Sequence, residues 1–358
     1  METKITIVYA NRNRDLKRIS RSLDSLKNQA NLNFEVVFVD YGSEEKLASE
    51  IKNCCNLYTF VTYYGLSING LIWNKSKALN YGIFKAAGEF IFVADVDLVF
   101  LPEAVQHLIQ IATKESFFLF PLGYLEKKEI NASNLLELIP KNFGNVNGMI
   151  LVSKNSLITI HGFDEFFHFY GSEDEDLFQR LEHLGLKRLY SDNKLFYHQW
   201  HQSFSASDDI SLTQKPRLSN AMRLNQQHYN FNNSQKIIKP KGQKKCGEGL
   251  EILDQKVLQT PDLNYKIPNI KAHVVHFLNE ELKIDSEKVV SVVFYCDSYY
   301  NSLKYKAKEF LGKQTQPYLS LKEVNDLVLE KIVFDYRDHN YHYSISGDVK
   351  EIKFVIML

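Results

Sequence analysis

Short apolar runs alternate with amphipathic stretches through the first third of the chain. "KITIVYA" (Lys4–Ala10) is short, rich in β-branched residues and bounded by polar ones, which predicts a buried strand. In "RDLKRISRSLDSLKNQ" the apolar positions Leu16, Ile19, Leu23 and Leu26 recur at helical spacing, with Lys and Arg opposite. "FEVVFVD" (Phe34–Asp40) predicts a second buried strand, so the chain opens strand–helix–strand, the unit of a parallel pair with a right-handed crossover. "EEKLASEIK" then predicts a helix, "LYTFVTYY" a strand, and "NKSKALNYGIFKAAG" a helix closed by Gly88. "EFIFVADVD" predicts a fourth strand and "LPEAVQHLIQIAT" a helix with Pro102 at its start. Such alternation specifies an α/β fold with a mostly parallel sheet.

Beyond about Phe117 the pattern is mixed. "FFLFPLGYL" and "VNGMILVSKNSLITI" read as strands, and "SEDEDLFQRLEHLG" as a helix. The Asn-, Gln- and Lys-rich stretch that follows reads as a lid or linker. "VVSVVFYC", "KIVFDY", "YHYSIS" and "EIKFVIML" then read as strands of a small α+β appendage. The expected division is residues 1–205 as a catalytic domain, 206–250 as a polar lid or linker, and 251–358 as a small α+β domain.

Composition narrows the partners. The chain has 358 residues, 44% of them hydrophobic, enough for a large domain and a smaller one. Lys plus Arg equals Asp plus Glu at 43 each, so no global charge draws the protein to nucleic acid or an anionic membrane. Cys54, Cys55, Cys246 and Cys296 show neither metal-ligand spacing nor a disulfide framework, as expected of free thiols in a reducing compartment. The N-terminal apolar run is short for a signal peptide, and no run is long enough to span a bilayer. The expectation is a cytoplasmic protein, with peripheral attachment at the inner face of a membrane left open.

Candidate chemistry gathers at strand ends. Asp95 and Asp97 end the apolar run "EFIFVA", where α/β sheets bind ligands, and strand alternation would turn both to one side. Two hard oxygen ligands there suit a divalent cation holding a diphosphate; the plainer alternative is a helix cap. Glu173, Asp174, Glu175 and Asp176 open an apparent helix. First-turn acids are ordinary there, yet four adjacent carboxylates repel, which can raise one pKa and make a general base. His198 and His201 in "LFYHQWH" are either structural or part of a metal site, and spacing does not choose between them. Arg12 and Arg14 follow the first strand, where a phosphate or base would sit, against a solvated turn. Asp40 ends the second strand and could meet a base or ribose, or cap a helix.

Taken in order, these segments resemble the inverting glycosyltransferases of GT-A fold. The first part is similar to glycosyltransferase family 2. "ANRNRDL", "WNKSKALNYG", "ADVDL", "GFDEFFHFYGSEDEDLFQRL" and "YHQ" resemble segments of the β-1,4-galactosyltransferases and of bacterial chondroitin polymerase modules, over about residues 4 to 201. The resemblance implies a Rossmann-like GT-A domain that moves a hexose or N-acetylhexosamine, such as Gal or GalNAc, from a UDP-sugar to a saccharide or glycolipid acceptor. The setting would be surface polysaccharide or glycan synthesis, with Mn²⁺ or Mg²⁺ as cofactor. It implies nucleotide contacts by Arg12, Arg14, Asp40 and Lys75, the last replacing an arginine. Asp95 would touch the ribose or sugar and join the metal site, while Asp97 and His198 would be direct metal ligands. Asp174 and Glu173 would be the catalytic residues, Asp174 as the base and Glu173 binding the acceptor or donor sugar; Tyr170 would stack on the acceptor, and Gly148 would lie beside the donor sugar. Where the galactosyltransferases place a methionine ligand, this chain has Leu195, so phosphate and water are expected to complete the shell.

Two other readings compete. A sugar nucleotidyltransferase would show a glycine-rich phosphate loop near the N-terminus, and "YANRNRD" has no glycine. A non-catalytic glycan-binding module would keep the fold without needing Asp95, Asp97, Asp174 and His198 together.

Overall fold

The computed structural model describes residues 4–68, 70–131, 137–145, 148–202, 210–243, 247, 255–283 and 287–358. Cys246 and parts of the 206–250 segment lie outside them. The chain forms two compact units: residues 1–67, 73–203 and 222–251, and residues 68–72, 204–221 and 252–358.

In the first unit β1 (Ile5–Asn11), α1 (Leu16–Lys27), β2 (Phe34–Tyr41), α2 (Glu45–Cys55), β3 (Val61–Leu66), α3 (Lys75–Lys85) and β4 (Phe90–Ala94) follow the predicted alternation. Next come β5 (Leu98–Phe100), α4 (Ala104–Ile111), β6 (Ser116–Leu119), β7 (Leu122–Tyr124), β8 (Asn142–Gly144), β9 (Ile150–Ser153), α5 (Lys154–Thr159), α6 (Glu173–His183), β10 (Lys187–Tyr190), β11 (Phe196–His198) and α7 (Ala221–Ser234). A seven-stranded sheet has the order β10-β6-β9-β4-β1-β2-β3, and only β9 runs against its neighbours. A small sheet, β5-β11-β7-β8, flanks it.

Both faces of the central strands are covered, which explains why β1, β2, β4 and β9 are apolar at most positions. On β4, Phe90, Phe92 and Ala94 enter one core cluster with Ile19, Leu23 and Leu26 of α1. Ile91 and Val93 enter the other, with Leu177, Phe178 and Leu181 of α6. Each such side chain contributes roughly 1.5–3 kcal/mol on burial. The chain runs outward from β1 through β2 to β3, then returns across to β4 on the other side of β1. That reversal opens a crevice at the carboxyl ends of β1 and β4, where "NRNR" and "DVD" emerge.

The second unit has a four-stranded sheet, β12 (Leu263–Pro268), β13 (Val289–Tyr295), β15 (Glu351–Met357) and β14 (Tyr341–Ile345), in that order. Its helices are α8 (Lys271–Asn279), α9 (Leu303–Phe310) and α10 (Leu321–Lys331). Among the described residues, no helix of the chain is long and apolar enough to cross a membrane.

Several readings are corrected. "FFLFPLGYL" is two strands in different sheets, broken at Pro121, which cannot donate to a ladder. "VNGMILVSKNSLITI" ends its strand at Ser153, whose hydroxyl accepts from the Ser156 amide and starts α5. "KIVFDY" is helical: Ile332–Tyr336 continue α10 as a π-type turn, with Ile332, Val333 and Tyr336 buried. Within the segment read as a polar lid or linker, residues 221–234 form a helix, and its Asn and His side chains bond inward.

Candidate active site

The two aspartates of "ADVDL" do not share a strand face. β4 stops at Ala94, and a turn closed by Leu98 N–H donating to the Asp95 carbonyl (3.2 Å) separates them. Asp97 is buried and Asp95 is half-exposed. β5 begins immediately after Asp97 and pairs antiparallel with β11, which sets His198 opposite Leu98. The Gln199 amide then donates to the Asp97 carbonyl at 3.0 Å. This ladder, not any sequence spacing, brings the histidines to the aspartate.

Asp97 Oδ1 lies 3.6 Å from His198 Nε2, and Oδ2 lies 3.3 Å from His201 Nε2. One donor atom from each of the three falls within 4.8 Å of the others, a set fit for one cation. Asp97 Oδ1 is buried without a hydrogen-bond partner, as is one Arg18 guanidinium nitrogen 3.6 Å from Asp97 Oδ2. Orphaned polar atoms of this kind are costly unless something binds them. Burial alone would raise the Asp97 pKa; the His201 hydrogen bond and the charges of His198, His201 and Arg14 instead lower it to about 2. Burial holds the His198 imidazole below its ordinary value, which keeps it neutral, as a ligand must be. The bond to Asp97 raises His201. Leu195 packs against the core, and the third donor within reach of Asp97 and His198 is His201.

Asp95 faces another partner. Its Oδ1 pairs with Lys75 Nζ at 3.0 Å. Burial would lower the Lys75 pKa, but the carboxylates of Asp95, Asp174 and Glu173 hold it well above the ordinary lysine range. Lys75 opens α3, whose buried polar residues have a separate task. Asn74 caps the helix and donates to the Glu165 carbonyl at 2.8 Å; Asn80 accepts from the Phe163 amide at 2.8 Å. Gly82 lets α3 lie against β1, for a Cβ there would stand 2.4 Å from Val8. The polar pattern of "WNKSKALNYG" thus pins the 163–168 loop and leaves Lys75 to the site.

That loop leads into α6 through left-handed Phe169 (φ 66°) and Ser172 (φ 69°), strained conformations for non-glycine residues. Asp174, in the first turn of α6, abuts Gly148, where a Cβ would come within 2.6 Å of Asp174 Oδ2. Burial first, and the Glu173 charge second, raise the Asp174 pKa to about 7 against the pull of Lys75. Desolvation, ahead of repulsion among the adjacent carboxylates, is the larger cause. Asp174 Oδ1 is buried and unbonded. Glu173 accepts from the Gly171 amide at 3.0 Å, and Tyr170 is half-exposed.

Of the nucleotide candidates, Arg12 is partly buried and Arg14 exposed, both just beyond β1. Asp40 is buried: Oδ1 accepts from Asn11 (3.3 Å) and Ser43, and Oδ2 from Tyr63 (2.9 Å). It organises the turn after β2. Arg18 went unnoticed in the sequence because it sits on the polar face of α1, indistinguishable there from its solvated neighbours. Gln199 fixes it by donating to its carbonyl at 2.9 Å.

Residues 5–160 match the family described as glycosyl transferase family 2, and residues 133–202 match the N-terminal domain of galactosyltransferase. No curated protein matches the chain. Among solved structures, S. aureus TarS 1-349 is 20% identical over 55% of this chain and 60% of its own, with a TM-score of 0.41. The mannosyltransferase PcManGT from Pyrobaculum calidifontis, solved with GDP-Man and Mn²⁺, is 14% identical over 59% and 61%, with a TM-score of 0.43. GalNAc-T7, solved with UDP, GalNAc and Mn²⁺, is 13% identical over 56% and 44%, with a TM-score of 0.45. The matched region thus spans less than two thirds of each of these chains.

Proposed function

We propose that this chain, whose residues 5–160 match the glycosyl transferase family 2 model, is a metal-dependent, inverting glycosyltransferase that moves a sugar from a UDP-sugar to a saccharide acceptor. The observation that carries this reading is the pairing of two unlike centres. One is a cation-binding set, Asp97, His198 and His201. The other is a desolvated carboxyl, Asp174, poised near neutrality. Both come from segments that resemble the galactosyltransferases, and the second family match includes residues of each.

Asp97, His198 and His201 would hold Mn²⁺ or Mg²⁺, with Asp95 beside them. The bound cation would supply the charge that stabilises a departing diphosphate. Arg12, Arg14 and Arg18 would bind the nucleotide and its phosphates, with Asp40 shaping the turn beside them. Lys75 would neutralise Asp95 near the donor. Asp174 would take the proton from the acceptor hydroxyl at Oδ1 or Oδ2 as that hydroxyl attacks the anomeric carbon, inverting it in one displacement. Glu173 would bind a sugar and Tyr170 would stack on the acceptor. Surface polysaccharide or glycan synthesis is the proposed setting.

The test is UDP release with Mn²⁺ against a panel of UDP-sugars and saccharides. Asp97→Ala and Asp174→Asn should each lower kcat by roughly 10²–10⁴. Turnover that survives both substitutions would reject the site. Saccharide binding without any UDP release would favour the glycan-binding module.

A further inference from the structure

The helix α9 (Leu303–Phe310) carries large apolar side chains on the outside of the second unit. Leu303 is 86% exposed, Phe310 91% and Leu311, just past the helix end, 63%. At 3.6 residues per turn, Leu303, Ala307, Phe310 and Leu311 fall on one stripe. Lys306 borders it on one side, and Lys304 and Lys308 border it on the other. Tyr305 points the opposite way and is buried, with its ring 5.1 Å from Tyr318 and 5.8 Å from Tyr299. One face of the helix is therefore anchored by aromatic packing, and the opposite face is apolar and open.

Its ends are built to last. Ser302 caps the N-terminus by accepting from the Tyr305 amide at 3.1 Å. Gly312, at φ 62°, ends it in a Schellman turn: its amide donates to the Glu309 carbonyl at 3.0 Å and the Lys313 amide to the Lys308 carbonyl at 2.9 Å. A helix this short does not hold in water by propensity, so the capped, anchored form is a specified feature. Among the described residues no ion pair holds Lys304, Lys306 or Lys308.

We propose that α9 is an interfacial helix that seats the protein on an anionic lipid bilayer. Leu303, Phe310 and Leu311 enter the acyl boundary while Lys304, Lys306 and Lys308 meet the headgroups on either side. The charge pattern chooses this occupant: Lys304 and Lys308 line one flank of the apolar stripe and Lys306 the other, with one carboxylate, Glu309, farther round beyond Lys306, so the charge beside the stripe is net positive. The chain's formal net charge of zero does not oppose this, because lipid recognition depends on charge within a Debye length of the surface. Three apolar side chains give weak, reversible seating, not insertion. The inference does not rest on the glycosyl-transfer reading, since none of its residues belongs to that site.

The experiment is co-sedimentation of the full chain with phosphatidylcholine vesicles, with and without phosphatidylglycerol, over a salt series. Binding to the anionic vesicles that weakens with salt is expected, with little binding to phosphatidylcholine alone. Each of Lys304→Gln, Lys306→Gln and Lys308→Gln should lower the partition coefficient about fivefold. The combined Leu303→Ser, Phe310→Ser and Leu311→Ser protein should lose binding with its thermal midpoint unchanged; should it fail to fold, the lysine variants decide. Absent vesicle binding, or binding indifferent to lipid charge and salt, overturns the proposal. So does self-association that Phe310→Ser abolishes in a protein that ignores vesicles, which would mark the stripe as a contact between copies.

Discussion

At Asp174 the proposed base role and a cost in stability fall on one side chain. Its carboxyl titrates at about 7, far above the ordinary carboxylate range. Between that range and about 7 the native state keeps a proton that the unfolded chain has released, so this group's contribution to stability falls as pH rises. Asp174→Asn should therefore raise the thermal midpoint at about pH 8 and leave it nearly unchanged at about pH 4, while lowering kcat by the roughly 10²–10⁴ expected above. In the wild type, kcat/KM should climb with pH through about 7 as the base ionises; a profile flat from pH 5 to 8 would count against Asp174. Gly148 tests the same carboxylate from outside. A Cβ there would stand 2.6 Å from Oδ2, so Gly148→Ala must push the Asp174 carboxyl aside. A fall in kcat of about 10–100-fold, with UDP affinity retained, is expected by steady-state kinetics and calorimetry.

At the scale of elements, α7 is the clasp on the loop and helix that carry Asp174, the proposed base. Asn225 donates to the carbonyls of His168 (3.0 Å) and Tyr170 (3.1 Å). His228 pairs with Asp164 at 2.9 Å and stacks on Phe166 at 3.7 Å. Asn232 donates to both Asp164 (3.1 Å) and Asp176 (2.8 Å), and Asp176 holds buried Arg180 at 2.7 Å. The asparagine amide bridges two buried carboxylates that would otherwise repel. Asn232→Ala should cost about 1–3 kcal/mol in urea unfolding. Asn232→Asp, which sets a third carboxylate beside the pair, should cost more. In both, turnover should fall further than UDP affinity, because the strands bearing the donor-side residues are held by other contacts. An equal loss of both would mean α7 supports the whole domain and not this loop.

For the whole molecule, the cation set offers a measurement independent of turnover. An ion that binds only the native state at a hundred times its Kd adds about 2.7 kcal/mol of stability. Mn²⁺ should raise the thermal midpoint, chelator should reverse this, and Asp97→Ala should abolish it. With two imidazoles and one carboxylate, the shift should be larger for Mn²⁺ than for Mg²⁺ at equal concentration.

The sequence by itself determined the alternation of strands and helices up to β4, the apolar faces of α1 and α6, and the residue types that gather at strand ends. Those follow from local periodicity, which a single chain displays directly. It left Asp95 and Asp97 together on one strand face, His198 and His201 undecided, Arg18 unnoticed and residues 221–234 in a lid or linker. Each of these depends on partners distant in the chain. Only the β5–β11 ladder brings two histidines to Asp97, and only the turn after Ala94 sends Asp95 to Lys75. The desolvation that raises Asp174 arises where Gly148, Glu173 and Lys75 converge, and burial of that kind exists only once the chain has folded.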